Sequence, residues 1–409
     1  MASIARVSCL SIAISLVVSA ASAQPSALPD GAGRAVLERH CVACHDLRRP
    51  AQALGFDAAG WRELVDTMVD LGGSPDLEVL TEYLAEHFPP RADGGARVVD
   101  GPVRIRFREW RVPTRGQRAR DPVEAPDGGI WWAGQWGNLL GRIDPATDSM
   151  REYPLPTGAR PHTVTTDAAG NVWYTGNGNG TIGRLDPATG AVTEYPMPDP
   201  ALRDPHSMIA DARGVLWFTA QNSNMVGRLD PVSGEIRVRE VPTPGSRPYG
   251  IKLDSRGTPF VACNGGNCLL RIDPATMEIR EYRLPDAGST VRRLAFASDD
   301  TIWYVNSRLG RIGHLDPRTG EVREWPSPSG PRSHPYAIAV VDDIVWYNES
   351  GVRPDMLVRF DPATEVFQSW PIPSGSIHAG IVRHMRPTRA GDLLVHQSAT
   401  NRVLLVDLP

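Results

Sequence analysis

Lysine is almost missing from this chain. Lys252 is the only one among 43 basic residues; every other is Arg. A GC-rich genome accounts for such a bias, and so does anion recognition by guanidinium groups, which present a planar fork of donors. Nor is there an excess of positive charge. The net charge is −4, with 22% charged and 41% hydrophobic residues, which excludes a protein that binds nucleic acid by charge alone and a multispanning membrane protein. No dinucleotide, flavin or molybdenum signature occurs. The run Gly176-Asn177-Gly178-Asn179-Gly180 has no following helix or Lys, so it is not a phosphate loop. Cysteine is scarce, at five in 409 residues, whereas 39 Gly and 37 Pro demand frequent turns.

Residues 1–23 hold one positive charge (Arg6), an apolar run from Leu10 to Val18 and a terminal Ala21-Ser22-Ala23. That is the layout of a signal peptide. Its apolar run is short for a membrane span, so a periplasmic protein with no span after cleavage is expected. Cleavage removes Cys9 and leaves Cys41, Cys44, Cys263 and Cys268.

Cys41-Val42-Ala43-Cys44-His45 is C-x-x-C-H. Two thiols at this spacing attach the vinyl groups of one haem c, and the adjacent His reaches the iron. No second C-x-x-C completes a zinc site. Three helices are expected: Ala35–His40, then Trp61, Leu64, Val65 and Met68 on one face, then Leu77, Leu80, Leu84 and Phe88. This unit resembles small single-haem class I cytochromes c with a W-x(6)-M segment, over residues 30–92. The sixth iron ligand is Met68 or, alternatively, His87. The resemblance implies an all-α cytochrome c domain over residues 24–92, and a Pro/Gly-rich linker is expected at 93–100.

From residue 101 onward an Asp anchor recurs at Asp144, Asp186, Asp230, Asp273, Asp316, Asp361 and Asp407, spaced 42, 44, 43, 43, 45 and 46 apart. An apolar residue, mostly Trp, precedes each anchor, and Glu-aromatic-Pro follows most of them. Such a period with short strands predicts an all-β seven-bladed β-propeller over 101–409. Glu109-Trp110 is an outer-strand signature without an anchor, and Asp407 an anchor without an outer strand. The strand Arg104–Trp110 is therefore expected beside Arg402–Val406, closing the ring.

The pattern I-G-R-[IL]-D-P-x-[TS]-G-x-x-x-E-[YW]-P resembles the virginiamycin B lyase (streptogramin lyase) propellers. In that family, histidines and carboxylates from neighbouring blades hold Mg²⁺ and open a depsipeptide ring by elimination. The resemblance implies a channel-mouth site at His162, Asp204, His206 and Gln221. Asp204 stands where the family has Glu, and Gln221 where it has a second metal carboxylate. The expected mouth residues open the innermost strands: Asp121-Pro122, Arg160-Pro161-His162, Asp204-Pro205-His206, Arg247-Pro248-Tyr249, Arg292-Arg293, His334-Pro335-Tyr336 and His378. Gln135, Asn177, Gln221, Asn264, Ser307 and Glu349 form a second ring. Cys263 and Cys268 face each other across a hairpin, which predicts a disulfide.

Two functions follow. One is an exported c-type cytochrome that transfers electrons while its propeller binds a small-molecule substrate or a redox partner protein. The other is a Mg²⁺-dependent lyase at the propeller mouth.

Overall fold

The computed structural model describes residues 28–41, 55–90, 95–376 and 382–409. The signal peptide, Cys44, His45 and His378 lie outside these residues. No helix among the described residues is long and apolar enough to cross a membrane.

Seven four-stranded antiparallel sheets form the propeller. Blade 2 runs Pro161–Thr166, Val172–Gly176, Thr181–Leu185 and Val192–Pro196 from the axis outward. The ring closes as the repeat count requires. Arg106–Arg111 pairs with Arg402–Asp407, Trp110 opposite Val403, so the first strand of the propeller is the outer strand of blade 7.

Each repeated residue has a mechanical job. Asp144, Asp186, Asp230, Asp273, Asp316 and Asp361 each accept the backbone N–H two residues on, at 2.8–3.0 Å, fixing the turn between third and fourth strands. Tyr174 and Tyr304 each donate to the Glu of the Glu-aromatic-Pro motif, Glu194 and Glu324, at 3.0 Å. The Gly of the I-G-R motif makes room for that Tyr ring. A Cβ on Gly183 would lie 2.0 Å from Tyr174 Cζ, and one on Gly313 2.1 Å from Tyr304 Cζ.

The N-terminal unit has three described helices: α1 (Ala32–His40), α2 (Ala58–Met68) and α3 (Pro75–His87). Asp57 caps α2 by accepting from the Gly60 N–H at 2.8 Å, and Ser74 with Pro75 starts α3. Val36, Leu37, Trp61, Leu64, Leu80 and Leu84 form its core. Gly33 lets α1 cross α3 closely, since a Cβ there would sit 2.2 Å from Tyr83 Cβ.

This unit sits on the propeller rim. Thr67 donates to the Ala399 carbonyl at 3.1 Å, and Asn401 Nδ2 donates to the Thr67 carbonyl at 2.7 Å. Asp66 accepts from Arg111 at 2.9 Å and Arg115 at 2.7 Å. These two guanidinium groups hold its carboxyl below the usual range, the Arg111 hydrogen bond being the largest cause. Arg353 donates to the Gly55 carbonyl and stacks 3.9 Å above the Phe56 ring. These partners belong to blades 6, 7 and 1, on the face where the innermost strands begin. The described part of the linker is pinned rather than loose. Ala96 N–H donates to the Arg353 carbonyl, Arg97 N–H to Ser329 and Val99 N–H to Ser369, at 2.9–3.1 Å.

Candidate functional site

The innermost strands of blades 1 to 6 each carry a register shift two or three residues in, for example between Pro161 and Val164 and between Pro205 and Met208. Such a bulge breaks strict alternation and re-aims side chains. In four blades the preceding residue is left-handed: Arg118 (φ 56), Arg160 (φ 44), Arg247 (φ 52) and His334 (φ 48). Non-glycine residues hold this conformation at a cost, often at functional sites.

Strand register defines one equivalent position per blade: Arg120, His162, His206, Tyr249, Arg292, Tyr336 and Arg383. The next position holds Asp121, Thr163, Ser207, Gly250, Arg293, Ala337 and His384. This sets the register of the triplet in blades 1, 5 and 7; Arg292 keeps its expected place, and His378 lies outside the described residues. In blade 1 the triplet is Arg118-Ala119-Arg120, three residues before the Asp121-Pro122 opening. In blade 5 it is Thr290-Val291-Arg292, and in blade 7 it ends on Arg383 rather than His378. The Pro that marks the triplet elsewhere is replaced by Ala119, Val291 and Val382 in these blades.

His162 and His206 come together, with ring centroids 3.5 Å apart, and His206 packs on Tyr249 at 4.2 Å. Both histidines are buried. Burial, then the Arg120 and Arg293 charges, pushes both imidazoles well below their usual range, so they are neutral bases at neutral pH. His162 Nδ1 lies 3.4 Å from Thr163 Oγ1, which donates to Asp121 Oδ2 at 2.7 Å. Asp121 is fully buried, and burial opposes its charge. His384, Arg120 and Arg293 overcome that and hold its carboxyl well below the usual range.

Tyr249 and Tyr336 share a hydrogen bond between hydroxyls. Arg293 stands 5.0 Å over Tyr249 and Arg292 4.6 Å over Tyr336. Burial raises the Tyr336 phenol, but Arg383, Arg292 and Arg293 outweigh it and bring it down to about 8. Lys252 is pushed down to about 7 by burial and by Arg386 and Arg293.

Asp204 is engaged within its own blade. Asp204 accepts from the Asn222 N–H and from Ser223 Oγ at 2.6 Å, so its carboxylate closes the hairpin of its own blade. Gln221 is 9% exposed beside that hairpin. Much of the second ring braces the barrel: Asn177 donates to the Pro205 carbonyl at 3.1 Å, Ser307 to the Pro335 carbonyl at 2.5 Å, and Glu349 accepts from Ser327 at 2.6 Å. Among the described residues no three His, Cys, Asp or Glu side chains converge on a metal position. Two neutral imidazoles, a neutral amide and a committed carboxylate do not fit Mg²⁺, which favours anionic oxygen ligands.

Of the residues expected to hold a haem, Cys41 and Met68 are described, and Cys44 and His45 are not. Cys41, at the end of α1, and Met68, the last residue of α2, both pack at the edge of one apolar cluster. His87 ends α3 with its ring 4.6 Å from Tyr83. Cys263 and Cys268 face each other across their hairpin as buried thiols, sulfurs 2.7 Å apart.

A seven-bladed propeller with a polar mouth defines the class. Residues 96–269 match the model of the virginiamycin B lyase family. Virginiamycin B lyase from Staphylococcus aureus is 25% identical, covers 75% of this chain and 100% of its own, and superposes with a TM-score of 0.67. A catalytically inactive His-to-Ala variant of that enzyme with quinupristin is also 25% identical, covering 75% of this chain and 100% of its own at TM-score 0.65. Hydrazine synthase from Kuenenia stuttgartiensis, 12% identical over 72% of this chain and 96% of its own, shares the fold alone at TM-score 0.57. No curated protein sequence matches.

Proposed function

We propose that the propeller mouth is the active site of a lyase-type enzyme that cleaves an ester of a small molecule by elimination. The observation that carries this is the stacked, neutral pair His162–His206 beside buried guanidinium groups. In such an elimination a base takes the proton on the carbon next to a carbonyl. The C–O bond one carbon further on then breaks, and the acyloxy group leaves as a carboxylate. His206 acts as the base, and a positioned base contributes about 10²–10⁴-fold. Thr163 and Asp121 orient His162. Arg292 and Arg383, whose Nε and Nη1 have no partner among the described residues, stabilise the developing negative charge, the task that fixed donors in a water-poor site perform best.

The test is mass spectrometry of cyclic and linear depsipeptide esters, quinupristin among them, incubated with the protein. Cleavage at unchanged total mass, insensitive to EDTA, supports elimination on these residues. Products that have gained one water, or no cleavage of any ester, overturn it.

A second function concerns the N-terminal unit, and the C-x-x-C-H at Cys41, Cys44 and His45 favours it. These residues and Met68 are the ones that would hold a covalent haem, which when bound supplies one-electron transfer. In the periplasm it would exchange that electron with a redox partner protein. A pyridine haemochrome spectrum of c type supports this, and its loss in Cys44→Ala ties it to the motif.

A further inference from the structure

The mouth holds more buried positive charge than it balances. Arg120 (2% exposed) and Arg293 (3%) point into the channel, with Arg292, Arg383, Arg386 and Lys252 around them. Among the described residues, Asp121 is the one carboxylate that acts on them. It lies 3.7 Å from Arg120 Nε and 3.9 Å from Arg293 Nη2, beyond hydrogen-bonding distance. His162, His206, His384 and His396 are neutral and add no counter-charge.

Several donors are left over. Among the described residues Arg120 makes one bond, Nη1 to Gln135 Oε1 at 2.6 Å, and its Nε and Nη2 have no partner. Arg293 gives Nη1 to Ser207 at 2.8 Å and Nε to the Arg383 carbonyl at 3.0 Å, leaving Nη2. Arg292 Nε and Arg383 Nη1 are also unpartnered. A buried guanidinium with unmatched donors is costly unless an anion completes it. These donors come from blades 1, 5 and 7 and lie close to one another: Arg293 Nε donates to the Arg383 carbonyl, Arg383 acts on Arg120, and Arg383, Arg292 and Arg293 all act on Tyr336.

We infer that this cluster is a binding site for the carboxylate of a small organic acid, held chiefly by Arg120 and Arg293. Guanidinium groups match a planar carboxylate through paired N–H donors. The flat rings of His162, His206, Tyr249 and Tyr336 beside them offer walls for an unsaturated or aromatic body. In combination with the elimination chemistry, the substrate is then an ester that also carries a free carboxylate. The inference rests on the mouth being the binding site and does not need turnover.

The experiment is calorimetry on the full-length protein with benzoate, benzamide and inorganic phosphate at constant ionic strength. Benzoate is expected to bind at least ~10-fold more tightly than benzamide, and Arg120→Met or Arg293→Met to remove that preference. Arg323→Met, on the outer strand of blade 5, leaves it unchanged. Thermal stabilisation of the unaltered protein by benzoate over chloride gives the same answer without a variant. Equal binding of benzoate and benzamide, or no binding of either, overturns the inference. Phosphate binding more tightly than benzoate overturns the carboxylate assignment in favour of a phosphorylated ligand. Elimination activity without anion binding removes this inference alone, and anion binding without activity removes the lyase alone.

Discussion

The two arcs of the propeller mouth differ in chemistry while sharing one backbone. Blades 2, 3 and 4 present His162, His206 and Tyr249, stacked and uncharged. Blades 5, 7 and 1 present Arg292, Arg383 and Arg120 at the equivalent position. The bulge recurs in both arcs, in every blade but the seventh, and both arcs hold Asp turns and a Tyr–Glu bond. The repeat therefore supplies a frame, and the mouth position can be exchanged blade by blade without disturbing it. That separates base chemistry on one arc from charge stabilisation on the other.

The largest effect is expected from breaking the ring arc. His206→Ala should lower ester elimination by about 100-fold or more while leaving the thermal midpoint nearly unchanged. An intact rate would move the base elsewhere. Breaking the shared frame gives the opposite signature. Gly183→Ala forces a Cβ into the Tyr174 ring and should cost about 1–3 kcal/mol by denaturant unfolding, with the rate per folded molecule kept.

The arginine arc can be weakened with pH. Lys252, facing Arg386, Arg293 and Asp121, loses its charge near 7. Tyr336, facing Arg383, Arg292, Arg293 and Tyr249, gains a negative charge near 8. Both changes lower the positive potential as pH rises, and the buried histidines are already neutral. Benzoate affinity should therefore fall by several-fold between about pH 6 and about pH 9. A flat profile would remove both groups from the site. The smallest effect is expected at Asp204. Asp204→Asn keeps part of the hairpin bonding and should change stability by less than about 1 kcal/mol, with little effect on turnover. A large loss of activity would return that carboxylate to the chemistry.

Much of the frame could be read from the residues themselves. The Asp anchors, the apolar residue before them and the orphan Glu109-Trp110 predicted seven blades and their closure, because each mark has a local mechanical cause. The histidine pair was legible too, through the Pro-His openings of blades 2 and 3. The arginine arc was not. Blades 1, 5 and 7 lack the Pro of the triplet, so the opening of blade 1 was read three residues late and Arg383 of blade 7 was missed. A bulge also lets two consecutive residues, such as Thr163 and His162, serve the channel, which a period of two does not foresee. The role of Asp204 was hidden for another reason: its partners, Asn222 and Ser223, lie 18 and 19 residues away across the blade. The near-absence of lysine did carry a signal, since the unpaired donors at the mouth are guanidinium groups.

Asn401 joins two parts of the molecule. Its Nδ2 holds the Thr67 carbonyl, and its Oδ1 accepts the Arg118 N–H at 2.9 Å, two residues before Arg120. A single amide side chain thus works as a rivet between the two units: a displacement of α2 would be felt at the strand that carries Arg120.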